Sequence, residues 1–369
     1  MTTTATSTAS QLYTLTLREA TEMVSFMGHD VTCLVRGPMG TGKSSILKTL
    51  AKQYPDYVPC YFDGTTKDLG DMMYPKIARF DETGKDYATF VPNEEFGLHM
   101  GKPVILMIDE IGKMFAPVRN ACMRLMYERV MASTPVPGIV FATTNNSSEN
   151  LGDVILPHQN DRMTELVISG PTNEEWVEDF AIPNGLEAVL IKWAIDNPQL
   201  FHNPEMYKDY KDNEYIPHPT SPHKHFCTPR SMHRANHWLT IRDKISSKQL
   251  MAALIGTLGP KGAADLHTHI AISDQMPTQA SIKADPRNAV IPRSAAACQM
   301  VVYRALTSMK LDMIDPWMDY MLRLEPEHQS VFANQAKRDT YPHRQMVMTN
   351  PKFVKWSVAN NFAFTADKN

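Results

Sequence analysis

Residues 31–54, VTCLVRGPMGTGKSSILKTLAKQY, decide the fold, because a short apolar run is followed by a glycine-rich turn and then by a helical pattern. Val31–Arg36 is apolar and rich in β-branched residues, which predicts a buried strand. Lys43–Tyr54 places its apolar residues on one helical face and stops before Pro55. A strand, a glycine-rich turn and a helix in this order open a parallel α/β sheet.

The turn between them fits the pattern G-x-x-x-x-G-K-[ST], which binds the phosphates of a nucleotide. Its glycines let backbone N–H groups face phosphate oxygens, and the helix that follows adds its positive N-terminal dipole. Lys43 is expected to reach the β- and γ-phosphates, and Ser44 to ligate Mg²⁺. The alternative is an accidental glycine-rich turn. The predicted nucleotide-binding residues of the turn are Gly37, Pro38, Met39, Gly40, Thr41, Gly42, Lys43 and Ser44.

A second apolar run, Val104–Ile108, ends in two carboxylates, Asp109 and Glu110. On a strand beside the phosphate-binding turn, Asp109 would hold Mg²⁺ and Glu110 would act as the general base on the attacking water. Taken alone, the same pattern is also that of a strand end meeting solvent. Its position on a predicted strand after the phosphate-binding turn favours the metal-binding interpretation.

Strand and helix patterns alternate as far as Gly170-Pro171, and helical patterns alone follow. This change predicts a boundary near residue 171 between an α/β core and a helical unit. The further strands predicted are Tyr57–Phe62, Val104–Ile108, Gly138–Thr143 and Thr164–Ser169, with a helix around 118–126.

Composition limits the class of protein. The 369 residues are 43% hydrophobic and 21% charged, with a net charge of −3, which suits two or three domains and argues against a strongly basic nucleic-acid coat. No apolar stretch approaches the roughly 18 residues of a membrane helix, and the first ten residues lack the regions of a signal peptide. The five scattered cysteines predict reduced thiols. We expect a cytoplasmic protein that binds no membrane.

Several segments together resemble the AAA+ ATPases, and within them the MoxR-like branch. They are GPMGTGKS (37–44), VILMIDEI (104–111), FATTNN (141–146), QNDRM (159–163) and CTPRS (227–231). The resemblance covers about residues 20–258 and implies an α/β P-loop core with a parallel sheet, then a helical lid and a helical C-terminal extension. The expected divisions are a disordered tail at 1–11, the AAA+ nucleotide-binding domain at 12–170, the lid at 171–258 and the extension at 259–369.

The resemblance also assigns roles to three polar residues outside the two nucleotide motifs. Asn145 matches sensor 1, which orients the lytic water, and Arg162 matches the arginine finger that enters the site of the neighbouring subunit. Arg230 matches sensor 2, which contacts nucleotide from the lid. Simpler alternatives are an asparagine in a strand-end turn, a solvated arginine and an ordinary first-turn arginine. The predicted catalytic residues are thus Lys43, Glu110, Asn145 and Arg162.

The resemblance leaves the roles of three segments open. The family often has Asn-Arg shortly after Asp-Glu, where this chain has Gly112-Lys113, so the role of Lys113 is open. The long segment Asp63–Phe90 corresponds to an insert that reaches the central pore in MoxR-like proteins, and the alternative is a surface hairpin without a grip on any substrate. The His-rich segment 218–237 has no assigned role.

The resemblance implies an ATPase that uses ATP and Mg²⁺ in a homo-oligomeric ring, a hexamer in the family. Such rings remodel a protein partner, and the first candidate partner is a protein with a von Willebrand A domain. Two alternatives stay open. One is a nucleic-acid motor or helicase loader, against which the near-neutral charge argues weakly. The other is a nucleotide-gated structural ring with slow turnover.

Overall fold

The structure, a computed structural model, describes residues 13–146, 155, 159, 161–218, 225–274 and 276–360. The tail predicted at 1–11, Asn160 of the QNDRM segment, residues 219–224 of the His-rich segment and the last residues of the extension lie outside the described residues. The chain divides into two compact units, with the boundary between Gly170 and Pro171.

The first unit is an α/β domain. Its helices are α1 (Leu17–Met27), α2 (Ser45–Gln53) and α3 (Ala116–Glu128); its strands are β1 (Cys33–Arg36), β2 (Val58–Asp63), β3 (Met73–Phe80), β4 (Lys85–Pro92), β5 (Val104–Asp109), β6 (Val130–Met131), β7 (Thr134–Pro135), β8 (Gly138–Thr144) and β9 (Thr164–Val167). Five strands form one sheet in the order β2-β5-β8-β1-β9, and every pair in it is parallel. The predicted α/β fold with a parallel sheet is confirmed.

Both faces of this sheet are covered, which explains the nearly continuous apolar runs of its central strands. On one face, Met107 and Phe141 pack with Ile46 of α2. On the other face, Leu106 packs with Val118 of α3. Because the strands are parallel, their carboxyl ends lie at one edge of the sheet, and this edge receives the phosphate-binding turn after β1, the carboxylates after β5 and Asn145 after β8.

The segment Asp63–Phe90 contains most of an antiparallel hairpin, β3 paired with β4. Aromatic and aliphatic side chains such as Tyr74, Ile77 and Phe90 are exposed on it. This segment is therefore a hairpin with exposed side chains. The expectation that it reaches a central pore stays a prediction.

The second unit is helical, and its described residues contain no strand. Its helices are α4 (Asn173–Trp176), α5 (Ala188–Asp196), α6 (Pro229–Thr240), α7 (Ser247–Ser273), α8 (Gln279–Ala284), α9 (Ala295–Thr307), α10 (Ile314–Met321), α11 (Pro326–Ala336), α12 (Arg344–Met348) and α13 (Pro351–Ala359). None of the described helices is long and apolar enough to cross a membrane.

One hydrophobic core runs through this whole unit, from Trp176 to Trp356. The predicted lid and extension therefore pack together, and residue 258 is not a boundary between two cores. The expected lid boundary at residue 258 does coincide with a break, since Gly259 interrupts α7 with φ 80° and ψ 167°. A Cβ at Gly259 would lie 2.4 Å from the carbonyl oxygen of His225. The division into lid and extension stays a prediction.

Candidate active site

The phosphate-binding turn has the backbone shape that its glycines predict. Gly40 and Gly42 have φ of 74° and 94°, in the left-handed region that glycine adopts without strain. Gly37 is needed for space, because a Cβ there would lie 2.3 Å from Cγ1 of Ile168. The Gly37 N–H donates to the carbonyl oxygen of Thr144 at 3.3 Å, which ties the turn to the end of β8.

Lys43 is buried inside this turn, with 8% of its surface exposed. Its Nζ donates to the carbonyl oxygens of Gly37 at 2.7 Å and Pro38 at 2.9 Å, and to Oδ1 of Asn145 at 2.8 Å. Two residues that the sequence assigns separately, the phosphate-binding lysine and the sensor asparagine, are thus in direct contact. Ser44 is exposed and immediately precedes α2.

Asn145 also contacts Glu110, the predicted general base. Its Nδ2 donates to Oε1 of Glu110 at 3.3 Å, and Lys113 donates from Nζ to Oε2 of Glu110 at 2.6 Å. Glu110 has φ 49° and ψ 44°, a conformation that is uncommon for a residue with a side chain. Its N–H donates to Oγ1 of Thr143 at 3.2 Å, which helps to hold it there. Lys113, whose role the sequence leaves open, is an ion-pair partner of Glu110.

Asp109 has hydroxyl donors on both of its carboxylate oxygens. The Tyr61 hydroxyl donates to Oδ2 at 2.7 Å, and the Thr143 hydroxyl donates to Oδ1. Partial burial and this hydrogen bond raise the pKa of Tyr61 well above its usual value, because ionisation would place a second negative charge beside Asp109. Sequence reasoning missed Tyr61 and Thr143, because the pairing of their strands with β5 is what brings them to Asp109.

The oxygen atoms of this edge suit Mg²⁺, which prefers carboxylate, hydroxyl, water and phosphate oxygens. Asp109 and Ser44 are the predicted protein ligands. Within the described part of the chain, no group of three or more His, Cys, Asp or Glu residues could hold a metal ion. A cation at Asp109 would therefore take most of its ligands from phosphate and water, as Mg²⁺ at nucleotide sites does.

Arg162 lies at the other edge of the sheet. It stands two residues before the first residue of β9, and the amino ends of parallel strands lie opposite to the edge that carries Lys43. Its side chain is exposed, and its guanidinium carbon lies 5.5 Å from the centre of the exposed Tyr127 ring. The topology keeps Arg162 apart from the Lys43–Asn145–Glu110 contacts of its own chain.

Arg230 belongs to the second unit, on the first turn of α6. Pro229 occupies the first helical position, and the Thr228 side chain caps the helix by accepting from the Ser231 N–H. Arg230 itself is exposed. The helix start that the sequence predicts is present, and a contact between Arg230 and nucleotide stays a prediction.

Comparison with known proteins identifies the class of the first unit. Residues 33–167 match the sequence model of the family described as "ATPase family associated with various cellular activities (AAA)". The first unit therefore contains an AAA ATPase domain, which is a nucleotide-binding domain. No curated protein matches the chain.

Solved structures resemble the chain only weakly. The Thermotoga maritima RuvB Holliday junction branch migration motor is 12% identical with a TM-score of 0.34, over 70% of this chain and 68% of RuvB. A candidate ATPase from Cytophaga hutchinsonii is 16% identical with a TM-score of 0.31, over 69% of this chain and 88% of that protein. Similarity at this level does not distinguish between the activities of such proteins, nor does it identify the MoxR-like branch.

Proposed function

We propose that the protein is a MoxR-like AAA+ ATPase that hydrolyses ATP with Mg²⁺ in a homo-oligomeric ring and remodels a protein partner. The observation that carries the hydrolytic part is the unbroken set of contacts from Lys43 through Asn145 to Glu110. It joins a phosphate-binding cation, a polar amide and a carboxylate base at one edge of a parallel sheet. A site of this kind needs all three groups within reach of one terminal phosphate.

The residues of this edge divide the chemistry between them. Backbone N–H groups of 37–44 and the Lys43 ammonium bind the phosphates, and Lys43 exchanges its carbonyl partners for phosphate oxygens. Asn145 orients the attacking water and Glu110 takes its proton. Mg²⁺, held by Asp109 and Ser44, would neutralise phosphate charge.

The position of Arg162 supports a ring. An exposed arginine at the amino edge of the sheet, away from the Lys43 edge of its own chain, is consistent with action on the site of a neighbouring copy. Six copies are the number that the resemblance implies. Arg230 would contact the bound nucleotide and so couple it to the helical unit. Motion of that unit would act on the protein partner. The first candidate partner is a protein with a von Willebrand A domain. A cytoplasmic location belongs to the same proposal.

The experiment measures ATP hydrolysis per chain and particle mass over a range of protein concentrations, with and without ATP. We expect both to rise together, because the arginine finger comes from a second copy. Protein that stays monomeric with ATP at high concentration would refute the ring. Strong stimulation of ATP hydrolysis by single- or double-stranded DNA would contradict protein remodelling and indicate a nucleic-acid motor.

A further inference from the structure

Asp109 stands between two strands that each supply a hydroxyl group to its carboxylate. Tyr61 of β2 donates to Oδ2 at 2.7 Å, and Thr143 of β8 donates to Oδ1. Strands β2 and β8 are the two neighbours of β5 in the sheet, so the two donors approach from opposite sides. The plane of the carboxylate is therefore held by two independent hydrogen bonds.

Strand register explains why Tyr61 reaches this carboxylate. Tyr61 is paired with Met107, which shares a sheet face with Asp109 because side chains of a strand alternate between faces. Met107 belongs to the same core cluster as Ile46 of α2. Tyr61 and Asp109 therefore lie on the face that α2 covers, and Ser44, the other predicted Mg²⁺ ligand, immediately precedes that helix.

Thr143 has an additional hydrogen bond that separates its role from that of Tyr61. Its Oγ1 accepts from the Glu110 N–H at 3.2 Å while its hydroxyl donates to Asp109. A change at Thr143 would disturb the general base together with the metal-binding carboxylate. The Tyr61 hydroxyl donates to Asp109. A change at Tyr61 therefore tests the orientation of the Asp109 carboxylate separately from the position of Glu110.

We propose that Tyr61 is a positioning residue for the divalent cation at Asp109, an inference that rests on the function proposed above. Its hydroxyl holds the carboxylate in one rotamer, so that less ordering is needed when the cation binds. Groups that orient a metal ligand typically contribute about 10–100-fold to metal affinity. Tyr61 is 48% exposed, so water can replace part of its hydrogen bond, and we expect an effect of about three- to tenfold.

The test measures Mn²⁺ binding by electron paramagnetic resonance in the presence of saturating ADP, for the wild type and Tyr61→Phe. Phenylalanine keeps the ring and removes only the hydroxyl. Tyr57→Phe is the matched control, because Tyr57 stands just before β2, at the opposite edge from Asp109, with its ring near those of Tyr54 and His29. We expect Tyr61→Phe alone to raise the Mn²⁺ dissociation constant, with ADP affinity in EDTA and the unfolding temperature unchanged.

Two results would overturn the proposal. One is Mn²⁺ binding by Tyr61→Phe that is unchanged or tighter. The other is an equal loss of ADP affinity in EDTA, because that would indicate general damage to the site. Failure of the proposed function looks different: a wild-type protein that binds ADP and Mn²⁺ but hydrolyses no ATP would contradict it, while the comparison of Tyr61→Phe with Tyr57→Phe would still decide the role of Tyr61.

Discussion

The two edges of the parallel sheet hold their candidate functional side chains in different ways. At the carboxyl edge, Lys43 and Asn145 are buried and Glu110 accepts hydrogen bonds on both carboxylate oxygens. At the amino edge, Arg162 is exposed and stacks on the exposed Tyr127. Groups that act within their own chain can be held by folding alone, whereas a group that acts on a neighbouring copy must stay accessible until the copies meet. Substitutions at each edge separate these two kinds of positioning.

Lys43→Ala should have the largest effect, because it removes the buried ammonium at the centre of the carboxyl edge. Hydrogen bonds from a charged donor contribute about 1.5–3 kcal/mol each, so we expect nucleotide affinity to fall by ~100-fold or more and hydrolysis to stop. Calorimetric titration with ATP measures the affinity, and thermal unfolding checks that the variant folds. Lys48→Ala, an exposed lysine of α2, is the control. Normal ATP binding by Lys43→Ala would contradict the site.

Arg162→Ala should leave nucleotide binding intact and lower hydrolysis by about 10³–10⁵. Arg124→Ala is the matched control, since Arg124 is an exposed arginine of α3 that pairs with Glu128. Mixing tests the action between copies directly: Arg162→Ala subunits keep a complete carboxyl edge, and Glu110→Gln subunits keep the arginine. A mixture of the two inactive variants should regain part of the activity. If no mixing ratio restores hydrolysis, Arg162 does not act across an interface.

Glu110→Gln should lower hydrolysis by about 10²–10⁴ while nucleotide still binds, because glutamine keeps the shape of the side chain but cannot take a proton. Single-turnover hydrolysis and ATP titration measure the two effects. Glu95→Gln is a closely matched control: the Lys67–Glu95 pair and the Lys113–Glu110 pair both have an N···O distance of 2.6 Å, and the two glutamates are 35% and 34% exposed. Equal losses in both variants would exclude Glu110 as the base.

Local pattern was enough to predict the strands, the turn and the helix start on which several candidate site residues lie. The turn 37–44 depends on glycine backbone freedom and on a strand and a helix that are continuous with it in sequence. The apolar run before Asp109 predicts its strand for the same reason. Predicting these features does not require knowing which strands are neighbours, so a single sequence is enough to predict them.

The missed features depend on contacts between distant segments. Tyr61 and Thr143 reach Asp109 only because the strand order is β2-β5-β8, and a single sequence does not reveal that order. Similarly, the helical patterns after residue 171 predict helices but not the single core that unites the predicted lid with the extension. Hairpin β3–β4 has no buried face, so its side chains show no alternation from which the register could be predicted.

Tyr127→Ala should have the smallest effect, and it tests how the amino edge holds its arginine. A cation–π contact at an exposed site contributes about 0.5–1 kcal/mol, so losing the ring should lower the hydrolysis rate of the assembled protein about two- to fivefold. Tyr127→Phe keeps the ring and should retain the wild-type rate, and in neither variant should ATP affinity change, because Tyr127 is remote from Lys43 along the strand direction. If Tyr127→Phe lowers the hydrolysis rate as much as Tyr127→Ala, the hydroxyl rather than the cation–π contact with Arg162 causes the effect. A normal rate in Tyr127→Ala would mean that Arg162 is ordered by the neighbouring copy alone, which would make the contrast between the two edges complete.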